Sequence, residues 1–334
     1  MKKFLAVVLA MMMVLSLAAC GSKEAAPATS AAAPAAKKTF QPMTIGGADS
    51  TGTMYAAAAA IATTISNATE LTISASTSSG SNENALKVHT GEIELGMCTA
   101  DAAANAWNGK GKFADTGKCE DLRYIGAVYA STMNWVALKS SGCTWLHDLN
   151  GKKAAVGTGP AASSTETCAL LTLKYAGVTD YVPTACTLGD AADGVCDGIY
   201  VAGGAYAGAP VGVQLTASVT KDCVWLGMTD DEINALIKDN PAYVKAFIQP
   251  NTYNGQKEAV PTIGVNAGVI CNADLDDDAA YLCAKALYEQ AADMVKGNAF
   301  FADLNDVSFL VKYSNIIPMH PGAEKFYKEV GLIK

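Results

Sequence analysis

Four short polar segments carry the residue types best suited to chemistry. Ser50-Thr51-Gly52-Thr53 comes just before Tyr55. A glycine there lets the backbone approach a ligand closely, and the first N–H groups of a following helix are left free to donate. Flanking hydroxyls add donors, so the segment suits a polar or anionic solute. The Walker pattern needs Gly-Lys-Ser/Thr and is absent, which argues against an NTPase. The same polar helix start recurs at Ser79-Gly80-Ser81, Thr99-Ala100-Asp101 and Ser163-Ser164-Thr165. Each alone also reads as an ordinary N-cap. Their recurrence predicts several helix starts converging on one cleft, with Tyr55, Tyr129, Asn134 and Tyr206 as candidate wall residues. Any one of these tyrosines also reads as half-buried packing.

Little else is arranged for catalysis. His89, His147 and His320 are scattered, so neither a triad nor a metal site can be argued. Asp274 to Asp278 lacks the glycine and distal glutamate of an EF-hand and reads better as acids at a helix start. Cys98, Cys119, Cys143, Cys168, Cys186, Cys196, Cys223, Cys271 and Cys283 show no CxxC and mostly stand where Ala or Val would fit. Free buried thiols are expected, with Cys186 and Cys196 the nearest pair should a disulfide form. No catalytic residue, metal or cofactor is expected.

The positioning elements follow from alternating short apolar runs and helical stretches. Met43 to Ile45 predicts a strand, and a helix runs from Met54 to about Ser66. Leu71 to Ser76 is a second strand, followed by a helix over Asn82 to His89. Ile93 to Cys98 is a third strand, leading into a helix at Thr99-Ala100-Asp101. This repetition predicts a parallel α/β sheet with helix starts along one edge, where such sheets bind ligands. A second unit begins after Asn134 to Leu138. It has a short helix near Trp145 to Lys152, a strand at Ala154 to Gly157, and a helix opened by Ser163 with Glu166 as a capping box. Further strands are predicted at Gly198 to Val201 and Ile263 to Cys271, with a helix after Asp274.

Composition sets the setting. Met1-Lys2-Lys3 precedes an apolar run from Phe4 to Leu17, shorter than the ~20 residues of a membrane-spanning helix. Leu17-Ala18-Ala19-Cys20 resembles a bacterial lipobox, so residues 1–19 read as a lipoprotein signal peptide and Cys20 as the lipidation site. Residues 20–39 are rich in Ala, Pro, Ser and Thr and read as a flexible lipid-anchored linker. The protein is therefore expected outside the cytoplasm, anchored to the cell membrane. Losing Lys2 and Lys3 takes the net charge from -8 to about -10. That acidity argues against nucleic acid and anionic lipid as partners. Of 24 basic residues only Arg123 is an arginine, so an acidic ligand would be held mainly by hydroxyls and helix starts.

In order along the chain, Ser50-Thr51-Gly52-Thr53, Gly80-Ser81, Glu83-Asn84, Gly91-Glu92-Ile93-Glu94-Leu95-Gly96 and Ala100-Asp101 resemble the TAXI family, the solute receptors of TRAP transporters. The likeness continues through Leu149-Asn150-Gly151-Lys152, Thr165-Glu166, Thr252-Tyr253 and Pro318-Met319-His320-Pro321-Gly322. It implies an α/β periplasmic-binding-protein type II fold, two α/β lobes joined by two crossover strands with the ligand cleft between them. Lobe I would comprise 40–136 plus 265–334, and lobe II 137–264. The ligand segments implied are Ser50 to Tyr55, Ser79 to Asn82, Thr99 to Asp101, Asn134, Ser163 to Thr165, and Gly203, Gly204 and Tyr206; Arg123 is taken as structural.

The implied function is not enzymatic. It is capture of a small organic acid or acidic amino acid, glutamate- or 2-oxoglutarate-like, for TRAP permease membrane subunits by a monomeric lipoprotein. A ligand sensor or an enzyme on the same scaffold is the alternative. Ala48-Asp49 departs from the family's glycines, and an acid there favours an amino acid over a simple diacid.

Overall fold

The computed structural model describes residues 38–312 and 316–334. The signal peptide, Cys20 and nearly all of the linker lie outside the described residues. The first strands and helices form where expected: β1 (Met43–Gly46), α1 (Thr53–Ala68), β2 (Ile73–Ser76), α2 (Ser81–His89), β3 (Leu95–Thr99) and α3 (Ala100–Asn108). β3 is buried at every position, as an interior strand covered on both faces must be. β1 pairs in parallel with both β2 and β3. Asn84, fully buried on α2, donates from Nδ2 to the carbonyls of Gly46, Gly47 and Met97, which locks α2 to β1 and β3.

A 17-residue strand, β4 (Leu122–Leu138), follows. The next elements are β5 (Ala154–Gly157), α4 (Ser164–Tyr175), β6 (Tyr181–Thr184), α5 (Leu188–Cys196), β7 (Ala202–Ala207), α6 (Gly212–Thr220), β8 (Cys223–Trp225), α7 (Asp230–Asp239) and β9 (Val244–Ile248). β10 (Val260–Asn272), α8 (Asp277–Glu289), α9 (Ala291–Gly297) and α10 (Pro321–Glu329) complete the order. The sheet runs β2-β1-β3-β10-β4-β7-β5-β6, with β8 added to β4 and β9 to β10.

The two long strands lie antiparallel and change partners along their length. β10 pairs with β3 through 267–271 and with β9 through 260–264. β4 pairs with β7 through 132–136. One lobe is thus built on β1–β3 and the other on β5–β7, and β4 and β10 pass between them.

One local expectation needs correction. Gly198 to Val201 is not a strand: Gly198 has φ +75° and Ile199 is exposed. The strand begins at Ala202 instead, because the small residues of β7 are what fit between Trp135 and α5. A Cβ on Gly203 would lie 2.7 Å from Ala191 O, and one on Gly204 2.6 Å from Met133 Cε. The short helix near Trp145 forms as expected, as a 3₁₀ stretch, Leu146–Leu149, followed by a turn at 150–151. All nine cysteines within the described residues are free, and most are buried.

Candidate functional site

The helix starts are best understood from their caps. α4 and α5 are closed by side chains: Ser163 accepts from Glu166 N, and Thr187 from Asp190 N. α1, α2 and α3 begin at Gly52, Gly80 and Thr99 without a side-chain cap. The first-turn N–H groups of those helices are therefore left to backbone, water or a ligand.

Gly52, Thr53, Ser79 and Gly80 from the first lobe face Pro160, Ser164, Thr165 and Leu188 from the second. Ala48, Asp49, Met54, Tyr206 and Ala207 complete the wall. The enclosed space is about 20 Å³, close to the volume needed by one water. The lobes are drawn together by direct bonds. Thr53 Oγ1 donates to Gly208 O at 2.8 Å, and Asn82 Nδ2 donates to Ala162 O at 3.1 Å. Asp49 Oδ1 accepts from Thr51 N and Oγ1, while its Oδ2 accepts from Leu188 N at 3.2 Å, across the cleft. That places a carboxylate at the first turn of α5, a favourable position for an anion. Lys112 reaches Glu166 at 3.7 Å.

Behind the wall lies a buried acid. Asp101, in the first turn of α3, accepts from Tyr206 Oη at 3.3 Å and from Tyr243 Oη at 2.6 Å. Burial pushes both tyrosine hydroxyls well up, and the neighbouring Asp101 charge adds to it, so both stay protonated and donating. The Cys168 thiol is likewise pushed well up, by burial first and then by Asp101. It behaves as an inert apolar group rather than a nucleophile.

The segments expected to converge do so only in part. Gly52, Thr53, Ser79, Gly80, Ser164, Thr165 and Tyr206 line the cavity, and Asn82 spans the cleft beside it. Ser50 and Thr51 are exposed, and Thr51 serves Asp49. Tyr55 packs beside Gly47. Ser81 Oγ accepts from Thr99 N and Thr99 Oγ1, so this pair ties α2 to β3 rather than facing the cavity. Ala100 is buried, and Ser163 is spent as the α4 cap.

Asn134 is fully buried; its Nδ2 donates to carbonyls of Thr132 and Ala207, and its Oδ1 accepts from Tyr253 Oη. It joins β4 to β7 and lies off the cavity wall, as do Gly203 and Gly204. Arg123 donates to the carbonyls of Glu120 and Leu122 and is equally remote from the wall. Asp49 lies on the wall, where its acid was expected to bear on the ligand, whereas Leu188 was missed. The signal for Leu188 was present, since Thr187-Leu188-Gly189-Asp190 is a fifth polar helix start.

One solved structure supports the architecture, and two others are similar more loosely. MatC from Rhodopseudomonas palustris, solved with bound malate, superposes with a TM-score of 0.55 at 12% identity, covering 78% of this chain and 88% of that one. The alkanesulfonate-binding protein SsuA from Xanthomonas axonopodis pv. citri, bound to MOPS, gives 0.49 at 13% identity, covering 87% and 84%. A putative L-cystine ABC transporter protein from Listeria monocytogenes gives 0.48 at 12%, covering 79% and 98%. The fold is the two-lobed periplasmic-binding-protein type. Residues 45–331 match the family model described as NMT1-like, and the chain belongs to the NMT1-like family.

Proposed function

We propose that this protein is an extracytoplasmic solute receptor, not an enzyme, that captures a small organic acid or acidic amino acid between its lobes. Lobe I is taken as 40–136 plus 265–334 and lobe II as 137–264, with the solute delivered to the membrane subunits of a TRAP permease. The observation that carries this reading is the cleft itself. Helix starts without side-chain caps and hydroxyls from one lobe face hydroxyls of the other across a gap closed by direct interlobe bonds. Such a gap admits a solute when the lobes part and encloses it when they close.

Two further observations support the reading. Among the described residues no helix is long and apolar enough to cross a membrane, which suits a receptor held at the membrane by Cys20 and the linker. A protein of the same fold was solved with malate, so this type of cleft accommodates a small acid. The TRAP partner rests on the ordered motifs from Ser50 to Gly322.

A thermal-shift screen of amino acids and mono- and dicarboxylates tests the proposal. A true ligand at 100 times its Kd should stabilise by roughly 2.7 kcal/mol. If no small acid or amino acid shifts the transition, or if the protein turns its ligand over, the receptor reading fails.

A further inference from the structure

Building on the receptor reading, we infer that the cleft selects an α-amino acid through its ammonium group, with Asp49 as the selecting residue, and discriminates against the same carbon skeleton without the ammonium. Charge is the first reason. Among the described residues, none that lines the cavity is Lys, Arg or His, whereas Asp49 brings a carboxylate into the wall. The groups bonded to Asp49 are all neutral: Thr51 N, Thr51 Oγ1 and Leu188 N. Its charge is solvated but not cancelled. A ligand dianion would add two negative charges to a wall that already holds one and offers no cation.

The second reason is the direction of the hydroxyl at Tyr206. Tyr206 contributes to the cavity wall, and behind it the hydroxyl donates its proton to the buried Asp101 carboxylate. The hydroxyl is polarised by that anion. An ammonium thus has Asp49 as its acceptor at the wall, with the Tyr206–Asp101 pair adding negative potential behind it. The single carboxylate of an amino acid has donors in the first turns of α1 and α2, which no side chain caps. An acceptor and donors on one small cavity complement a zwitterion. A simple diacid would satisfy the donors and be repelled by the acceptor.

The test is a matched comparison on the full chain by isothermal titration calorimetry and thermal shift. The pairs are glutamate against glutarate, aspartate against succinate, and alanine against propionate, each repeated with Asp49→Asn. The amino acid of at least one pair should bind about tenfold or more tightly than its deaminated partner, since a hydrogen bond to a charged group is at stake. In Asp49→Asn, which keeps the shape and an acceptor, that ratio should collapse toward one while the amide circular dichroism stays unchanged. Equal or tighter binding of the deaminated acid overturns the inference and leaves the receptor reading standing. An undiminished ratio in the variant overturns the role of Asp49. If neither member of any pair binds, the receptor reading for small acids falls, and the inference falls with it.

Discussion

At Gly52 a side chain would meet the opposite lobe before it met anything in its own. A Cβ there lies 3.0 Å from Leu188 Cδ1 and 3.3 Å from Asp49 O, while φ is -98°, so the backbone tolerates any residue. Gly52→Val should therefore obstruct closure rather than folding. Ligand affinity should drop about tenfold or more, the scale of one forced contact, with the thermal midpoint of the ligand-free protein nearly unchanged. A large loss of stability without ligand would show that the glycine serves folding instead.

His320 poses a different residue-scale question. It is fully buried, caps α10 by accepting from Gly322 N, and faces Asp277 at 3.8 Å. Burial holds its pKa below the usual value of 6.5; Asp277 works against that shift and Arg123 adds to it. A histidine whose folded pKa is lowered takes up a proton on unfolding. Its contribution is complete above about pH 6.5 and is lost as pH falls below that value. His320→Asn keeps a capping side chain and should flatten the fall of thermal midpoint between pH 6.5 and pH 5.

Among the elements, α2 is fastened by Asn84 as well as by the Ser81–Thr99 pair. Asn84 Nδ2 serves three carbonyls on β1, the loop after it, and β3. Asn84→Ala leaves buried carbonyls short of a donor, and urea denaturation should show a loss of about 1–3 kcal/mol. An unchanged midpoint would mean that the apolar face and the Ser81–Thr99 pair suffice to hold α2. Other elements were legible for ordinary reasons. α8 begins at Asp276, whose side chain accepts from Asp278 N and Ala279 N, so the acid run is a helix cap, as its position suggested. β7 was not legible, because Ala-Gly-Gly-Ala reads as a loop. Only the closeness of Trp135 and α5 makes small residues the right choice for a strand there.

For the molecule as a whole, direct polar contacts between the lobes contribute to closure. Thr53 to Gly208 and Asn82 to Ala162 are two of them. Each contributes about 1 kcal/mol, so removing both shifts the balance between closed and open forms by roughly 2 kcal/mol, or about 30-fold. The double variant Thr53→Val, Asn82→Ala should have a larger radius of gyration by small-angle X-ray scattering. Saturating ligand should reduce it. No change in radius would mean that other contacts, such as Tyr243 to Asp101, suffice to keep the lobes together.

The sequence by itself determined the repeating strand-turn-helix order, the polar helix starts and the absence of any histidine arrangement for catalysis. These depend on local spacing, capping chemistry and composition, which neighbours along the chain settle. Tertiary structure decided which of the polar starts face one another. Ser81 and Thr99 look as suitable as Ser79 and Ser164, yet they bond to each other and are consumed in packing. Asn134 is likewise spent on β7 and Tyr253. Asp49 differs: across the cleft it already has Leu188 N, yet all its partners are neutral, so its charge is left for a solute. Whether a hydroxyl or carboxylate is free for a solute depends on partners far away in the chain, and local pattern carries no record of them.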